Sequence, residues 1–303
     1  MKHRIDVVAD LPVGKNLQDH LFVPIPIAGR AGLKTAAETV ASVTELFNFP
    51  LPLINGFLDL NGTRHYNRHE VPPLQIHNFH VGALSTVYIV LLCKVILNLN
   101  DDYCDTLSRY NIDRELNLLI VILLHPYSKG QIRLRSKNPL VDPEIDLNYF
   151  SDERDVILAA EGLKFISRIA ETTYFSSVNG SVARLPVRGC KGLRWGSTAY
   201  WRCYAKSTAC SLWHPVGSAG MGRVLDDRLR VLGVRALRVV DGAAFPSIVS
   251  GNTNAPIMML AERAADLIKE DHLEYGDEDY GNPSAYGASH EHGYAAANLG
   301  LAR

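Results

Sequence analysis

The chain has 303 residues, of which 47% are hydrophobic, so it is long enough to bury a sizeable core in one large or two ordinary domains. Its formal net charge of −1 gives no electrostatic case for a nucleic-acid-binding protein or for binding to an anionic membrane. We find no internal repeats.

Two apolar runs lie in the first half of the chain. Residues 87–99 contain Lys94 and are too short to span a bilayer, so they predict a core strand or helix and no membrane span. Residues 118–124 predict a buried strand. Residues 1–6 lack the apolar core of a signal peptide.

A helix is predicted to start after residue 151. Ser151 is suited to cap it, and acidic residues fill its first turn. The residues that follow at helical spacing are apolar: Val156, Leu158, Leu163, Ile166 and Ile169.

A histidine precedes a glycine-rich turn. Pro215 restricts His214 to extended conformations, and Gly217, Gly220 and Gly222 permit a sharp turn behind it. An imidazole titrates near neutral pH, so His214 is suited to accept a proton from an alcohol. A single His-Pro is, on its own, more often a structural turn than a catalytic group.

Two segments follow that favour a ligand site at the end of a strand and the start of a helix. Residues 237–240 predict a buried strand that ends in the turn Asp241-Gly242. Asn252 and Asn254 belong to a run of capping residues, and Pro256 suits the first turn of a helix predicted over residues 257–269. Without further context, a core strand and a capping cluster explain these residues equally well.

The five cysteines, at positions 93, 104, 190, 203 and 210, have no zinc-like spacing, so no metal site is predicted. Cys190 and Cys203 are candidates for a disulfide. Two glycosylation sequons, at Asn61 and Asn179, fit a secreted protein. Residues 271–303 have no sustained periodicity and predict a disordered tail.

Three segments together resemble the glucose-methanol-choline (GMC) family of flavin-dependent oxidoreductases. They are Asp-Leu-Pro-Val-Gly-Lys-Asn-Leu-Gln-Asp-His at residues 10–20, Leu-His-Pro-Tyr-Ser-Lys-Gly-Gln-Ile-Arg-Leu-Arg-Ser at residues 124–136, and residues 213–268 with His-Pro-Val-Gly and Ser-Gly-Asn-Thr-Asn-Ala-Pro. The cysteine-bearing segment at residues 189–203 is similar to insect members that resemble glucose dehydrogenase. Residues 22–117 match more weakly and mostly by position.

The resemblance implies an α+β fold. It implies a substrate-binding domain over residues 21–205, with a mainly antiparallel sheet and helices, between two parts of an FAD-binding domain at residues 1–20 and 206–270. The sequence contains no G-x-G-x-x-G. The Rossmann half of the FAD-binding domain is therefore expected to be missing, and retention of FAD by this chain alone is in doubt.

The resemblance also implies a chemistry. His214 would accept the hydroxyl proton of an alcohol, sugar or sterol-like substrate, Asn252 would bind the substrate oxygen, and hydride would pass to FAD. Around the flavin the resemblance places Asp241, Gly242, Asn254, Ala255 and Pro256. Quinone or oxygen would take the electrons.

One leading reading of the chain follows, with alternatives. It is an FAD-dependent oxidoreductase acting on CH–OH groups, in a truncated and extracellular form. The alternative is a non-catalytic remnant that serves as an interaction module, or a truncated gene product. An ecdysteroid-oxidising member of the same family is a further alternative.

Overall fold

The computed structural model describes residues 5–32, 54–60 and 71–274. The sequon at Asn61 and residues 275–303 of the predicted tail lie outside these ranges. The strands are β1 (Lys15–Leu17), β2 (Leu21–Ala31), β3 (Ile54–Leu58), β4 (Leu74–Val81), β5 (Arg114–Leu123), β6 (Gly130–Arg133), β7 (Glu144–Asp146), β8 (Ser181–Val182) and β9 (Cys210–Ser211). The α-helices are α1 (Thr86–Val90), α2 (Asp101–Tyr110), α3 (Glu153–Ser167), α4 (Thr173–Ser177), α5 (Thr198–Thr208) and α6 (Asn254–Glu274).

Within the described residues, the larger sheet has six strands and is antiparallel throughout, in the order β3-β4-β5-β2-β8, with β9 also paired to β2. Strands β2 and β5 lie at its centre, and most of their residues are buried on both faces. The strand predicted at residues 118–124 is confirmed except for its last residue, since β5 ends at Leu123. The predicted mainly antiparallel sheet is also confirmed.

Central strand β2 contains two prolines, which is unusual because proline has no N–H for the ladder. Pro24 and Pro26 lie in the gap between the residues that pair with β9 and those that pair with β8. The carbonyl of Pro24 accepts a hydrogen bond from the Tyr204 hydroxyl at 2.9 Å, so a side chain takes the place of a neighbouring strand as its partner. The gap therefore tolerates both prolines.

Helix α3 packs closely on one face of this sheet at Gly162. A Cβ atom there would lie 2.8 Å from side-chain carbons of Leu74 and Val121. The helix begins after Asp152, whose side chain accepts from the Arg154 amide. The prediction that Ser151 caps the helix is therefore wrong by one residue, because Asp152 takes the extended conformation and presents the acceptor.

The opposite face of the sheet is covered by α1, α2 and the π-helix Leu91–Ile96. The predicted core element over residues 87–99 is helical, but it is only partly buried, since Val87 is 85% and Val95 is 69% exposed. One side of this helical segment therefore packs on the sheet, and its other side is exposed to solvent.

Residues 216–264 form a second core, against which Leu11 also packs. It contains Val216, Leu225, Phe245, Ile248 and Leu260, and α6 supplies its last buried side chains. Strand β1 pairs with β6, and β6 pairs with β7, in a separate three-stranded sheet.

The strand predicted at residues 237–240 is wrong. Arg238 makes one isolated bridge to Arg230, and Leu237 is 49% exposed. Within the described residues no neighbouring strand continues the ladder, so β-branched composition alone does not produce a strand here. Helix α6 is longer than predicted at both ends and includes residues 271–274, which were assigned to the tail.

Two disulfides are present. Cys190–Cys203 is the pair the sequence suggested, and Cys93–Cys104, which was not predicted, joins the π-helix to α2. Cys210 is a free, buried thiol. Within the described ranges, no helix has the length and apolarity required for a bilayer span.

Candidate active site

The loop that presents His214 is held against the segment before β2. Val216 pairs with Gln18 in an isolated bridge, and Gly217 takes a φ of +86° where a Cβ would lie 2.7 Å from the carbonyl oxygen of Asn16. Trp213, directly before the histidine, has a φ of +57°, a conformation that is uncommon for a bulky residue. The backbone around His214 is therefore fixed by contacts about two hundred positions away in sequence.

Asp19 is the group that fastens this loop. It is 3% exposed, and its Oδ1 accepts the backbone N–H of His214 at 2.8 Å. Its Oδ2 accepts the hydroxyl of Ser211 at 2.6 Å and also that of Tyr149. Burial and the neighbouring carboxylate raise the pKa of Tyr149, so its hydroxyl stays protonated as a donor. Three donors thus stabilise one buried carboxylate, which in turn positions His214.

His20 lies beside His214 and is fully buried. Its Nδ1 is 2.9 Å from Nδ1 of His214, and its Nε2 is 3.1 Å from the carbonyl oxygens of both Leu124 and Val249. Burial, and then the nearby His214, lower the pKa of His20 to about 4. The His20 ring is therefore neutral at physiological pH.

These contacts determine the tautomer of both rings. Two carbonyl acceptors face Nε2 of His20, so that nitrogen carries the proton, and Nδ1 of the neutral ring is an acceptor. The 2.9 Å contact then requires His214 to donate from its Nδ1. Burial lowers the pKa of His214, with Asp19 opposing the shift, so His214 is also neutral. Its unprotonated nitrogen is consequently Nε2, which can accept a proton from a substrate.

Two further histidines lie close to this pair. His77 on β4 is 4% exposed, its Nε2 has no hydrogen-bond partner, and its pKa is lowered by burial and then by His214. Nε2 of His125 lies 3.0 Å from the hydroxyl of Ser250. The site therefore contains an orphaned, buried imidazole nitrogen within electrostatic range of His214.

The other predicted site residues lie on the segments that pack against this histidine loop. Gly242 is buried, its carbonyl accepts the Gly217 N–H at 3.0 Å, and a Cβ on it would lie 3.2 Å from side chains of Val216 and Ile257. Asp241 is exposed and accepts the Ala243 N–H at 2.7 Å.

Asn252 belongs to the short loop between Val249 and α6. The backbone carbonyl of Val249 lies 3.1 Å from Nε2 of His20, so this hydrogen bond joins the loop to the histidine pair. Asn252, Asn254 and Ala255 are exposed at the start of the helix, and Pro256 is half-buried in its first turn. The structure thus presents Asn252 and the start of α6 to solvent beside the loop that carries His214.

Sequence reasoning missed His20, Asp19 and His77 as site residues. His20 and Asp19 end the motif at residues 10–20, and the visible signal was an acid-histidine pair directly before a strongly apolar strand. His77 lies in β4 among both polar and apolar residues, so no sequence signal distinguished it. His214 was predicted because its His-Pro-Val-Gly turn and the segments after it resemble the GMC family.

The sequence profile described as GMC oxidoreductase matches residues 126–261. The chain is 37% identical to ecdysone oxidase from Bombyx mori over 274 residues, and 40% identical to glucose dehydrogenase [FAD, quinone] from Drosophila melanogaster over 281 residues. Each match covers 88% of this chain but only 40% and 42% of those two proteins. The chain therefore spans less than half the length of these relatives.

Among solved structures, formate oxidase from Aspergillus oryzae has the same fold. A variant of that enzyme superposes with a TM-score of 0.67 at 20% identity, over 91% of this chain and 50% of the enzyme. At this identity the likeness is one of fold.

Proposed function

Because the chain belongs to the GMC oxidoreductase family, we propose that it carries the proton-accepting part of an FAD-dependent oxidoreductase that acts on CH–OH groups. The observation that carries the proposal is the contact between His20 and His214, which leaves Nε2 of His214 as a neutral base.

In this reaction an alcohol becomes a carbonyl compound. His214 takes the hydroxyl proton at Nε2, and the amide of Asn252 donates a hydrogen bond to the substrate oxygen. When FAD is bound, it supplies the acceptor for the hydride that leaves the carbinol carbon. Asp19 and His20 hold the base in position and in the required tautomer throughout.

The residues at the start of α6 fit a flavin ring. The helix is 21 residues long, and its exposed first turn directs free backbone N–H groups and the positive end of its dipole outward. Gly251 has open space where a Cβ would lie. Asn254 and Ala255 would offer N–H groups to the ring oxygens and Pro256 would shape the turn, while Asp241 and Gly242 would line the edge of the ring.

The relatives leave the substrate class open. One is named for ecdysone, one for glucose and one, from Pseudomonas putida, is an alcohol dehydrogenase [acceptor]. A small-molecule alcohol, sugar or sterol-like compound would be oxidised, and a quinone or oxygen would take the electrons.

We also propose an extracellular location. Two disulfides support it, because such bonds persist in oxidising compartments. The sequon residue Asn179 is exposed, as a glycan acceptor must be.

The test is a visible absorption spectrum of the 303-residue chain after incubation with FAD and desalting. The sequence alone put FAD retention in doubt, but the exposed start of α6 leads us to expect a retained flavin band. This band should bleach when an alcohol is added without oxygen. His214→Ala should slow bleaching by roughly 100-fold or more, the usual effect of removing a general base. His80→Ala, a change in a half-exposed histidine on β4, is the matched control and should bleach as the unmodified chain does.

Two results contradict the proposal. A colourless protein after desalting would show that these residues do not hold the flavin by themselves. Equal bleaching rates in the His214→Ala and His80→Ala variants would show that His214 is not the base.

A further inference from the structure

An apolar pocket of about 230 Å³ lies on the face of the larger sheet opposite α3. Strands β2, β4 and β5 form its floor, and α1, α2 and the π-helix Leu91–Ile96 form its walls. Among the described residues that line it, the polar side-chain groups are the hydroxyls of Tyr88 and Tyr103 and the indole N–H of Trp213. The Tyr103 hydroxyl is already bonded to Tyr204 at 2.9 Å. The pocket is thus almost entirely hydrocarbon.

The pocket adjoins the histidine site. Leu212 and Trp213, the two residues before His214, belong to its lining. The strand register also places His77 on the pocket face, because His77 lies opposite Ile120, and Ile120 lies opposite Pro24. The unpartnered Nε2 of His77 is therefore a polar group at the margin of an apolar space.

We propose that this pocket binds the hydrocarbon body of the substrate, so that the alcohol oxidised at His214 is predominantly apolar and is not a sugar. This inference rests on the proposed function and names its substrate class.

The cost of desolvation distinguishes an apolar alcohol from a sugar as the ligand of this pocket. Each methylene that enters the pocket strengthens binding about fourfold. A sugar carries a hydroxyl on most of its carbons, and each hydroxyl left unpaired in the pocket weakens binding roughly tenfold. The volume is below the range of about 300–1,000 Å³ that encloses a drug-sized ligand, so it suits one hydrocarbon segment of a substrate whose hydroxyl end remains near His214 and His77.

The experiment is isothermal titration calorimetry of the 303-residue chain with 1-butanol, 1-hexanol, 1-octanol and glucose, without flavin. We expect the dissociation constant to fall about fourfold for each added methylene until the pocket is full, and no saturable heat with glucose. Affinity that is independent of chain length, or glucose binding as tightly as 1-hexanol, would overturn the proposal.

Two neighbouring residues of the π-helix provide a matched pair of variants. Ile96 lines the pocket and is 48% exposed, whereas Val95 is 69% exposed and is not part of the lining. Ile96→Asp should weaken 1-octanol binding at least tenfold, and Val95→Asp should leave it unchanged. Equal effects of the two variants would place the binding elsewhere and overturn the proposal.

The binding experiment is independent of the redox chemistry. If the flavin bleaching described above fails while the alcohol series still binds in the pocket, the proposed function is wrong and the apolar site remains. If bleaching succeeds with glucose and the alcohol series does not bind, the function is right and the substrate class is wrong.

Discussion

Protonation of His20 should destabilise the protein, and the size of the effect follows from its burial. The ring is fully buried, and its pKa is lowered from 6.5 in the unfolded chain to about 4. Between these values the unfolded chain binds more protons than the folded one, so stability falls as the pH falls. The contribution of a neutral His20 is complete above pH 6.5 and is lost through the window down to pH 4. This difference in pKa between the folded and unfolded chain corresponds to about 3 kcal/mol in the free energy of unfolding.

Urea unfolding between pH 7 and pH 4 measures this loss. His20→Asn is the comparison, because asparagine retains an acceptor for the Nδ1 proton of His214 and does not titrate. The free energy of unfolding of the unmodified chain should fall by about 3 kcal/mol more than that of the variant over this range. Titrating groups that do not contact His20 are common to both proteins and cancel in the difference. If the free energy of unfolding depended on pH equally in the unmodified chain and in His20→Asn, the argument would be refuted.

The same reasoning predicts the tautomer of His214 directly. Nitrogen chemical shifts at neutral pH should show a protonated Nδ1 and an unprotonated Nε2 on His214, and the reverse on His20. His20→Leu removes the acceptor, so Nδ1 of His214 should no longer be held as the protonated nitrogen. A protonated Nε2 on His214 in the unmodified chain would contradict the proposed base.

Three further changes test the surrounding structure. Asp19→Asn turns an amide group toward the donors that Asp19 now accepts from. The free energy of unfolding in urea should fall by about 2–3 kcal/mol, because hydrogen bonds to a buried charge are lost. No change would mean that Asp19 does not hold the loop. Gly162→Ala should lower the free energy of unfolding by about 1–3 kcal/mol through overpacking, and a neutral result would contradict the close helix-sheet contact. Cys203→Ser opens the disulfide with Cys190 and should lower stability by about 3 kcal/mol in thermal unfolding. Burial raises the pKa of Cys210 to about 11, so in the native chain a thiol reagent should not label it, and rapid labelling would show that it is accessible.

Local sequence patterns were sufficient for the elements whose signals are short-range. The strand within β5 follows from an unbroken apolar run, and the first turn of α6 follows from Pro256 and the polar residues before it. The loop of His214 follows from Pro215 and Gly217. These features depend on residues within a few positions of one another, where backbone sterics act directly.

Patterns alone misjudged one element and overestimated the burial of another. Residues 237–240 have the composition of a strand, but a strand exists only where a neighbour completes its ladder, and the described residues supply one bridge at Arg238. Residues 87–99 are apolar enough for a core element, yet the structure uses them as a cover for one face of the sheet and as a wall of the pocket.

The sequence by itself indicated the family and a mainly antiparallel sheet, and it singled out His214 as the candidate base. Only the tertiary structure decided the state of that histidine, because its partner His20 is 194 positions earlier in the chain. The buried carboxylate of Asp19 and the orphaned nitrogen of His77 likewise acquire their roles from strands that the fold brings together. Protonation, burial and pocket polarity depend on neighbours in space, and a linear sequence does not specify those neighbours until the sheet register is known.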